Sequence, residues 1–288
     1  ILCYENLSFN SNIQLNLSKI EIIDIPFNEN IILGKPNSKT GNESFKYLTK
    51  ATDLILKKKV RALVTAPIAK NFWHQAGHFY SGQTERLAEL DGINNPSMLF
   101  TAISPISGWR LNTLLATTHI PLKEVPEKLN PKIIHSKLNA LLKFCQKFNP
   151  NPKLAIAGLN PHAGEDGKLG QEEIDWLIPT VNKWREKHPN IDLVGPVPPD
   201  SCWLSAAKAW QEKTNSQSPD GILALYHDQG LIPIKLIAFD SAVNTTLGLS
   251  FVRTSPDHGT AFDIAGKGIA RPDSMLAAIK TAWELTEN

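Results

Sequence analysis

Short apolar runs alternate along the chain with longer segments whose apolar residues recur at helical spacing. Apolar runs bounded by turn residues are typical of buried strands, and they lie at residues 60–65, 98–102, 111–116, 154–157 and 222–226. Helical spacing extends over 131–148, where Leu138 and Leu141 share one face, and helices are also predicted at 172–187 and 275–285. The alternation of strands and helices predicts an α/β fold built on a mainly parallel sheet.

Three histidines each follow one of these predicted strands and precede a loop that contains Gly or Pro. His119 follows the third predicted strand, His162 the fourth and His227 the fifth. Ligands of open parallel sheets bind at the carboxyl ends of the strands, so three imidazoles there predict a divalent-metal site with coordination positions open for substrate. A hydrogen-bonded loop residue is an equal alternative for any one histidine alone, but three histidines at equivalent strand ends favour the metal site.

Carboxylates in the strand-end loops are possible partners for these imidazoles. Asp228 follows His227 directly, Glu165 lies close to His162 along the chain, and Asp200 ends a Pro-rich loop. A metal-bound imidazole usually donates its second ring N–H to such an acceptor. Each of the three carboxylates is therefore a candidate for orienting a metal ligand.

Composition excludes several classes of protein. The net charge is +2 and no basic stripe is present, so nucleic-acid binding is not expected. No apolar run approaches about 20 residues, so no membrane span is expected. The three cysteines are widely spaced without a CxxC pattern, which is typical of reduced thiols in a cytoplasmic protein.

Polar residues suited to anions occur in two regions. Lys235, Asn244 and Arg253 recur at nine-residue intervals, and together they would suit a phosphate or carboxylate group. Spacing alone favours the alternative that they are surface residues. Ser81 and Thr84 lie where a helix is predicted to begin, and there they would either favour an anion or simply cap the helix.

Several motifs resemble the 4-hydroxythreonine-4-phosphate dehydrogenase family of pyridoxine biosynthesis in their order and spacing. They are TTHIPL at 117–122, GLNPHAGE at 158–165, YHDQG at 226–230, VNTTLGL at 243–249 and FVRTSPDHGTA at 251–261. The agreement extends from about residue 62 to the C-terminus. The segment 258–268 also resembles the adenosine-side loop of isopropylmalate and isocitrate dehydrogenases, and it has neither a Walker lysine pattern nor a GxGxxG motif.

The resemblance implies two α/β/α domains with mainly parallel sheets and the active site in the cleft between them, as in isopropylmalate dehydrogenase. Residues 1–80 with 245–288 would form the first domain, and residues 81–244 would form the second domain with the dimer interface. The family begins with a Gly- and Pro-rich strand and loop that does not precede Ile1. The first strand of one sheet is therefore expected to be missing.

The resemblance also implies roles for individual residues. The implied metal ligands, with His227 reaching the metal of the partner subunit, are His119, His162 and His227. The implied substrate contacts are Gln83, Thr84, Lys235, Asn244 and Arg253. The implied catalytic carboxylates are Asp200 and Asp228, and the implied cofactor residues are His258, Gly259, Thr260 and Asp263.

The implied reaction is an oxidation followed by a decarboxylation. NAD or NADP would oxidise the C3 hydroxyl of 4-phosphohydroxy-L-threonine, and loss of CO2 would give 3-amino-2-oxopropyl phosphate. A divalent metal such as Zn, Mg or Co would lower the pKa of the hydroxyl. Asp228, Asp200 or a metal-bound water would take the hydroxyl proton, and the sequence does not choose among them. The implied enzyme is a cytoplasmic homodimer with a shared active site.

One position departs from the family pattern. The chain has Gly82-Gln83-Thr84-Glu85 where the family has Gly-His-Thr-Glu, and an amide can donate a hydrogen bond but cannot carry charge or relay a proton. This keeps open a related dehydrogenase acting on a phosphorylated sugar acid such as 4-phosphothreonate. Two further alternatives are a metal-dependent hydrolase that uses the same histidines without a nicotinamide, and a non-catalytic binding protein of this fold.

Overall fold

The computed structural model describes residues 2–5, 21–212 and 218–287. Part of the predicted first domain, residues 1 and 6–20, lies outside the described residues. The strands are β1 (Leu2–Glu5), β2 (Glu21–Asp24), β3 (Ala62–Val64), β4 (Ser97–Ile103), β5 (Arg110–Leu115), β6 (Leu154–Ala157), β7 (Leu193–Val197), β8 (Gly221–Ala224), β9 (Val243–Leu247) and β10 (Val252–Pro256). The α-helices are α1 (Ser38–Leu56), α2 (Lys70–Gln75), α3 (Gln83–Asp91), α4 (Val125–Lys128), α5 (Pro131–Cys145), α6 (Ile178–Lys187), α7 (Leu204–Gln211), α8 (His227–Ala238) and α9 (Asp273–Glu284).

An eight-stranded sheet in the order β3-β10-β9-β4-β5-β8-β6-β7 forms the centre of the described chain. The strands β5, β8, β6 and β7 are parallel neighbours, and β3 and β10 are parallel at the other end. The pairs between these two parallel segments, β10 with β9, β9 with β4 and β4 with β5, are antiparallel. The predicted α/β fold class is confirmed, whereas the antiparallel middle of the sheet was not predicted.

The continuous sheet bears on the predicted domain boundaries. The boundary between residues 244 and 245 falls inside β9, which pairs with β4 on one side and with β10 on the other. The two predicted domains therefore share a strand, and their division at these boundaries stays a prediction.

Apolar helix faces cover both sides of the sheet. The side chain of Asn130 accepts a hydrogen bond from the backbone N–H of Ile133 and so caps α5. The predicted apolar face of α5, with Leu138 and Leu141, packs in one core cluster with strand residues such as Leu223. A second apolar cluster contains residues of α7 and α8 together with strand residues such as Ala224. Because Ala224 follows Leu223 in β8, the two clusters lie on opposite faces of the sheet. The sheet is thus buried on both faces, as its nearly continuous apolar strands require.

Most predicted helices and strands agree with the structure, with three corrections. The predicted Pro-rich loop that ends at Asp200 begins inside β7, and the predicted loop after His227 is the first turn of α8. The predicted helix at 172–187 is in fact a π-helical turn, Glu173–Leu177, followed by α6. Among the described residues no helix has the length and apolarity that crossing a bilayer requires. Cys145 and Cys202 are buried free thiols, in agreement with the prediction of reduced cysteines.

Candidate active site

Five separate regions of the sequence line a cavity of about 470 Å³. They are the turn after β3, the N-terminus of α3, the start of β4, the segment after β5, and the two strands β9 and β10 with the loop that follows them. Predicted site residues among its lining residues are Gln83, Thr84, His119, Asn244, Arg253, His258 and Gly259. The structure therefore brings together predicted residues as distant in the sequence as Gln83 and Gly259.

Arg253 places a buried positive charge in the wall of this cavity. The residue is 4% exposed, and it forms no ion pair within the described part of the chain. Its Nε and one terminal nitrogen donate to Thr65 Oγ1 at 3.1 and 2.7 Å, and its other terminal nitrogen donates to Thr246 Oγ1 at 3.0 Å. Burial lowers the pKa of Arg253 to about 10, although Glu85 acts in the opposite direction. These three hydrogen bonds employ three of the five guanidinium N–H donors, so two donors remain available for a ligand.

The N-terminus of α3 faces the same cavity. Gly82 precedes the helix and no side chain caps it, so the predicted capping by Ser81 or Thr84 is not observed. Both residues line the cavity instead, where uncapped backbone N–H groups favour anions. Gln83 is buried and its Nε2 donates to the backbone oxygen of Ala66 at 2.8 Å.

Two buried acceptors at the cavity have no hydrogen-bond partner among the residues that the structure describes. They are Oε1 of Gln83 and Oδ1 of Asn244, and both residues line the cavity. A buried acceptor without a partner costs free energy, on the order of 1–3 kcal/mol. These two oxygens are therefore suited to hydrogen-bond donors of a bound molecule.

The three histidines lie at the carboxyl ends of three neighbouring strands of the sheet. Strands β5, β8 and β6 are parallel neighbours, so His119, His227 and His162 follow one another at their carboxyl ends, as predicted. The rings of His119 and His227 are 5.5 Å apart between centroids. Burial lowers the pKa of His119, and His227 and Lys70 lower it further. Metal binding requires a neutral imidazole, and this environment favours the neutral form.

Asp228 contacts His227 in the manner predicted for an orienting carboxylate. Its Oδ1 lies 2.6 Å from Nδ1 of His227, which leaves Nε2 of that ring for another partner. Asp200 follows β7 at the same sheet edge and is exposed. Across the described ranges of this single chain, no three His, Cys, Asp or Glu side chains are grouped closely enough to hold a metal ion.

Lys235 does not line the cavity. Its Nζ lies 2.5 Å from Oδ2 of Asp257 and donates to the backbone oxygen of Asp257 at 3.0 Å. Asp257 itself is a lining residue. Lys235 is thus connected to the cavity through Asp257.

The predicted cofactor loop adjoins a second cavity of about 440 Å³. Both cavities are lined by Asp257, His258 and Gly259, so these residues lie between the two spaces. Thr260 and Asp263 belong to the same loop but line neither cavity.

Some residues of the site were missed by sequence reasoning. Thr65 and Thr246 hold the Arg253 guanidinium, and Lys70 and Glu85 line the cavity beside His119. Glu85 lies next to Thr84 at the helix start that the sequence predicts, whereas no local signal marks Thr246.

Comparisons with known proteins agree with this fold and site. A solved isocitrate dehydrogenase from Methylococcus capsulatus, 17% identical, has a TM-score of 0.51 over 78% of this chain and 68% of its own, which shows the shared fold. The solved 4-hydroxythreonine-4-phosphate dehydrogenase from Klebsiella pneumoniae is 35% identical, with a TM-score of 0.81 over 99% of this chain and 83% of its own. These similarities place the chain among dehydrogenases of the isocitrate dehydrogenase-like α/β fold, and it is an oxidoreductase.

The family follows from the sequence comparisons. The model of the pyridoxal phosphate biosynthetic protein PdxA matches residues 4–282. A 4-hydroxythreonine-4-phosphate dehydrogenase from a Synechococcus species is 58% identical over 93% of this chain and 82% of its own length. One from a Synechocystis species is 55% identical over 95% of this chain and 80% of its own length. The chain belongs to the PdxA family.

Proposed function

We propose that this enzyme oxidises and decarboxylates 4-phosphohydroxy-L-threonine to 3-amino-2-oxopropyl phosphate, in pyridoxal phosphate biosynthesis and with NAD or NADP. The observation that carries the proposal is Arg253, whose buried guanidinium lies at the wall of a substrate-sized cavity and has no carboxylate partner in the described part of the chain. A buried charge is stable only when it is paired. A phosphate or carboxylate of the substrate supplies that pair through the two open N–H groups.

The remaining lining residues match the other groups of this substrate. Thr84 and the N-terminus of α3 add donors for the phosphate oxygens. The free acceptors of Gln83 and Asn244 suit the ammonium and hydroxyl groups, which are donors. Lys235 acts indirectly in this arrangement, because its ion pair with Asp257 holds the loop beside the cavity.

The histidines fit a divalent metal in their donor chemistry. His119 is held in the neutral form and His227 has Asp228 on its Nδ1, and His162 completes the set. A bound divalent ion would lower the pKa of the C3 hydroxyl and polarise the ketone that forms from it. Asp228 orients His227, so Asp200 is the better candidate of the two for accepting the hydroxyl proton.

A homodimer would complete the site. Within the described residues of one chain no three possible ligands are grouped closely enough for a metal ion, and we propose that His227 serves the metal of the partner subunit. The helix that begins with His227 exposes apolar residues, with Leu236 82% and Phe239 61% exposed. Exposed apolar residues on one helix are typical of a subunit interface.

The nicotinamide cofactor would occupy the second cavity and reach the substrate past Asp257, His258 and Gly259, which both cavities share. When bound there, it would supply the hydride acceptor for the oxidation. Thr260 and Asp263 would contact the remainder of the cofactor from the same loop.

The decisive test is a cofactor-reduction assay with 4-phosphohydroxy-L-threonine, run on chelated enzyme with and without added Zn²⁺, Mg²⁺ or Co²⁺. We expect reduced nicotinamide to appear only with substrate and metal together. Product formation without a nicotinamide would indicate the hydrolase alternative. Faster turnover of 4-phosphothreonate would indicate the related sugar-acid dehydrogenase, which the Gln83 substitution keeps open.

A further inference from the structure

The turn that presents His162 has an unusual backbone. Six consecutive residues, 162–167, have positive φ, with values of 50° at His162, 51° at Ala163 and 44° at Glu165. Residues with a side chain rarely adopt this left-handed conformation, and then usually singly. Such a run persists only where the surroundings hold it.

The carboxylate of Glu173 holds the chain just before this turn. Its Oε1 accepts hydrogen bonds from the backbone N–H groups of Leu159 at 2.7 Å and Asn160 at 2.8 Å. Its Oε2 accepts from Nδ2 of Asn160 at 2.8 Å. Glu173 is 0% exposed and forms no ion pair within the described residues. Its carboxylate is thus used entirely on the strand-end loop.

Close packing leaves the turn little freedom to move relative to Glu173. A Cβ on Gly164 would lie 3.0 Å from Oε2 of Glu173, and a Cβ on Gly158 would lie 3.0 Å from Cβ of Ala163. Glu173 itself begins the π-helical turn that leads into α6. Departures of this kind from regular helix are frequent at functional sites.

Gln229 anchors the base of the same loop from the other side. Its Nε2 donates to the backbone oxygen of Gly158 at 2.7 Å, and its Oε1 accepts from the backbone N–H of Leu225 at 2.7 Å. The loop that leads to His162 is therefore joined to the end of β8 by one buried side chain and to α6 by another.

We infer that Glu173 is a positioning residue of the metal site, which fixes the left-handed turn so that the His162 imidazole is presented at the sheet edge. The inference rests on the proposed function, because it assumes that His162 is a metal ligand. Outer groups that orient a ligand typically change metal affinity by about 10- to 100-fold when they are replaced.

The test is a Co²⁺ titration of the metal-free full-length chain, followed by calorimetry and by visible absorbance. Glu173→Gln keeps the shape but turns one acceptor into a donor that faces Nδ2 of Asn160. We expect Co²⁺ affinity to fall about 10- to 100-fold and the Co²⁺ spectrum at saturation to change. The matched control is Glu186→Gln on the exposed side of α6, which should bind Co²⁺ as the unmodified chain does.

His162→Ala in the same titration separates the two proposals. Loss of Co²⁺ affinity in His162→Ala together with unchanged affinity and spectrum in Glu173→Gln would overturn the positioning role alone. A wild-type chain without Co²⁺ affinity, or a His162→Ala chain that binds normally, would overturn the metal site and this inference with it.

A second variant covers the case that Glu173→Gln does not fold. Asn160→Ala removes the Nδ2 donor to Glu173 and leaves the carboxylate in place. A smaller loss of Co²⁺ affinity is expected, because the two backbone N–H contacts to Oε1 are kept. Unchanged affinity and spectrum in this variant would count against the inference.

Discussion

At the scale of single residues, Arg253 is the side chain proposed to bind a charged group of the substrate. A hydrogen bond to a charged group contributes roughly 1.5–3 kcal/mol. Replacing Arg253 by Ala should therefore raise KM about 10- to 100-fold, at about 1.4 kcal/mol per factor of ten. Steady-state kinetics measure this change, and Arg61→Ala is the control, because Arg61 bonds to Thr286 outside the cavity. Unchanged KM and kcat in Arg253→Ala would refute the assignment.

Replacing Gln83 by the family's histidine tests whether an amide at this position is sufficient for substrate binding. The Nε2 of Gln83 is occupied by the backbone oxygen of Ala66, and a histidine N–H would be able to make the same contact. We expect Gln83→His to change kcat/KM on 4-phosphohydroxy-L-threonine only slightly above about pH 7, and to add a titration near pH 6.5. Profiles of kcat/KM against pH with both candidate substrates provide the measurement. A large gain in the histidine variant, or a wild-type preference for 4-phosphothreonate, would contradict this expectation.

The surroundings of His78 predict that the contact between α1 and the segment before α3 becomes less stable in acid. The His78 ring stacks on Phe45 with centroids 3.7 Å apart, and its Nε2 lies 2.8 Å from Oδ1 of Asn42. Burial lowers the pKa of His78, and Arg86 lowers it further. Because the pKa in the folded state lies below that of the unfolded chain, this contribution to stability is present above about pH 6.5. It is lost as the pH falls through the folded-state pKa.

Thermal unfolding from pH 8 to pH 5 tests this sign. The wild-type Tm should fall more on acidification than the Tm of His78→Gln, which has no titrating ring at this position. Parallel curves for the two proteins would show that His78 does not carry this pH dependence.

At the scale of elements, the seating of α8 on the sheet depends on Gly230. A Cβ at this position would lie 2.5 Å from Cδ2 of Leu115 and 3.0 Å from Cβ of Ala224. Gly230→Ala should therefore destabilise the protein by about 1–3 kcal/mol through overpacking. Gly259→Ala is the control for stability, because a Cβ there would have nothing within 4 Å. Equal free energies of unfolding for the two variants in urea would disprove the close seating of α8.

Strand β9 divides its residues between the two faces of the sheet. Asn244 pairs with Ser255 of β10, and Thr246 pairs with Arg253. Because side chains alternate along a strand, Asn244 and Thr246 share the face of the cavity, and Thr245 faces the opposite core. The antiparallel register thus places a hydroxyl beside the guanidinium of Arg253.

At the scale of the whole molecule, a shared metal site predicts complementation between inactive chains. We expect His162→Ala and His227→Ala to be inactive separately. If these two ligands of one site come from different subunits, each hybrid dimer has one intact site. A fully randomised mixture should then recover about a quarter of the wild-type activity, since about half of the dimers are hybrids with one active site of two.

Hybrid dimers isolated with two different affinity tags make the result decisive. Inactivity of confirmed hybrids would show that His162 and His227 serve the same subunit. A control mixture of His162→Ala with His119→Ala checks that subunit exchange alone does not restore activity, because these two ligands are proposed to belong to the same subunit and every hybrid dimer would then lack an intact site.

The sequence by itself determined many of the elements, though not β7, α8, β9 or β10, and the strand-end placement of the three histidines. Periodicity and turn residues are local signals, and the carboxyl ends of adjacent parallel strands meet at one edge. Asn244, Arg253 and His258, which were identified by resemblance, line one cavity, and their roles stay predictions.

Only the tertiary structure decided which distant residues meet. The antiparallel middle of the sheet, the contact of Thr246 with Arg253, and the burial of Glu173 against Asn160 all depend on strand order and register. These are set by packing of the whole chain rather than by any local pattern. Lys235 is the clearest case, because the family resemblance implied a substrate contact, whereas the fold pairs it with Asp257 and leaves the buried charge in the cavity to Arg253.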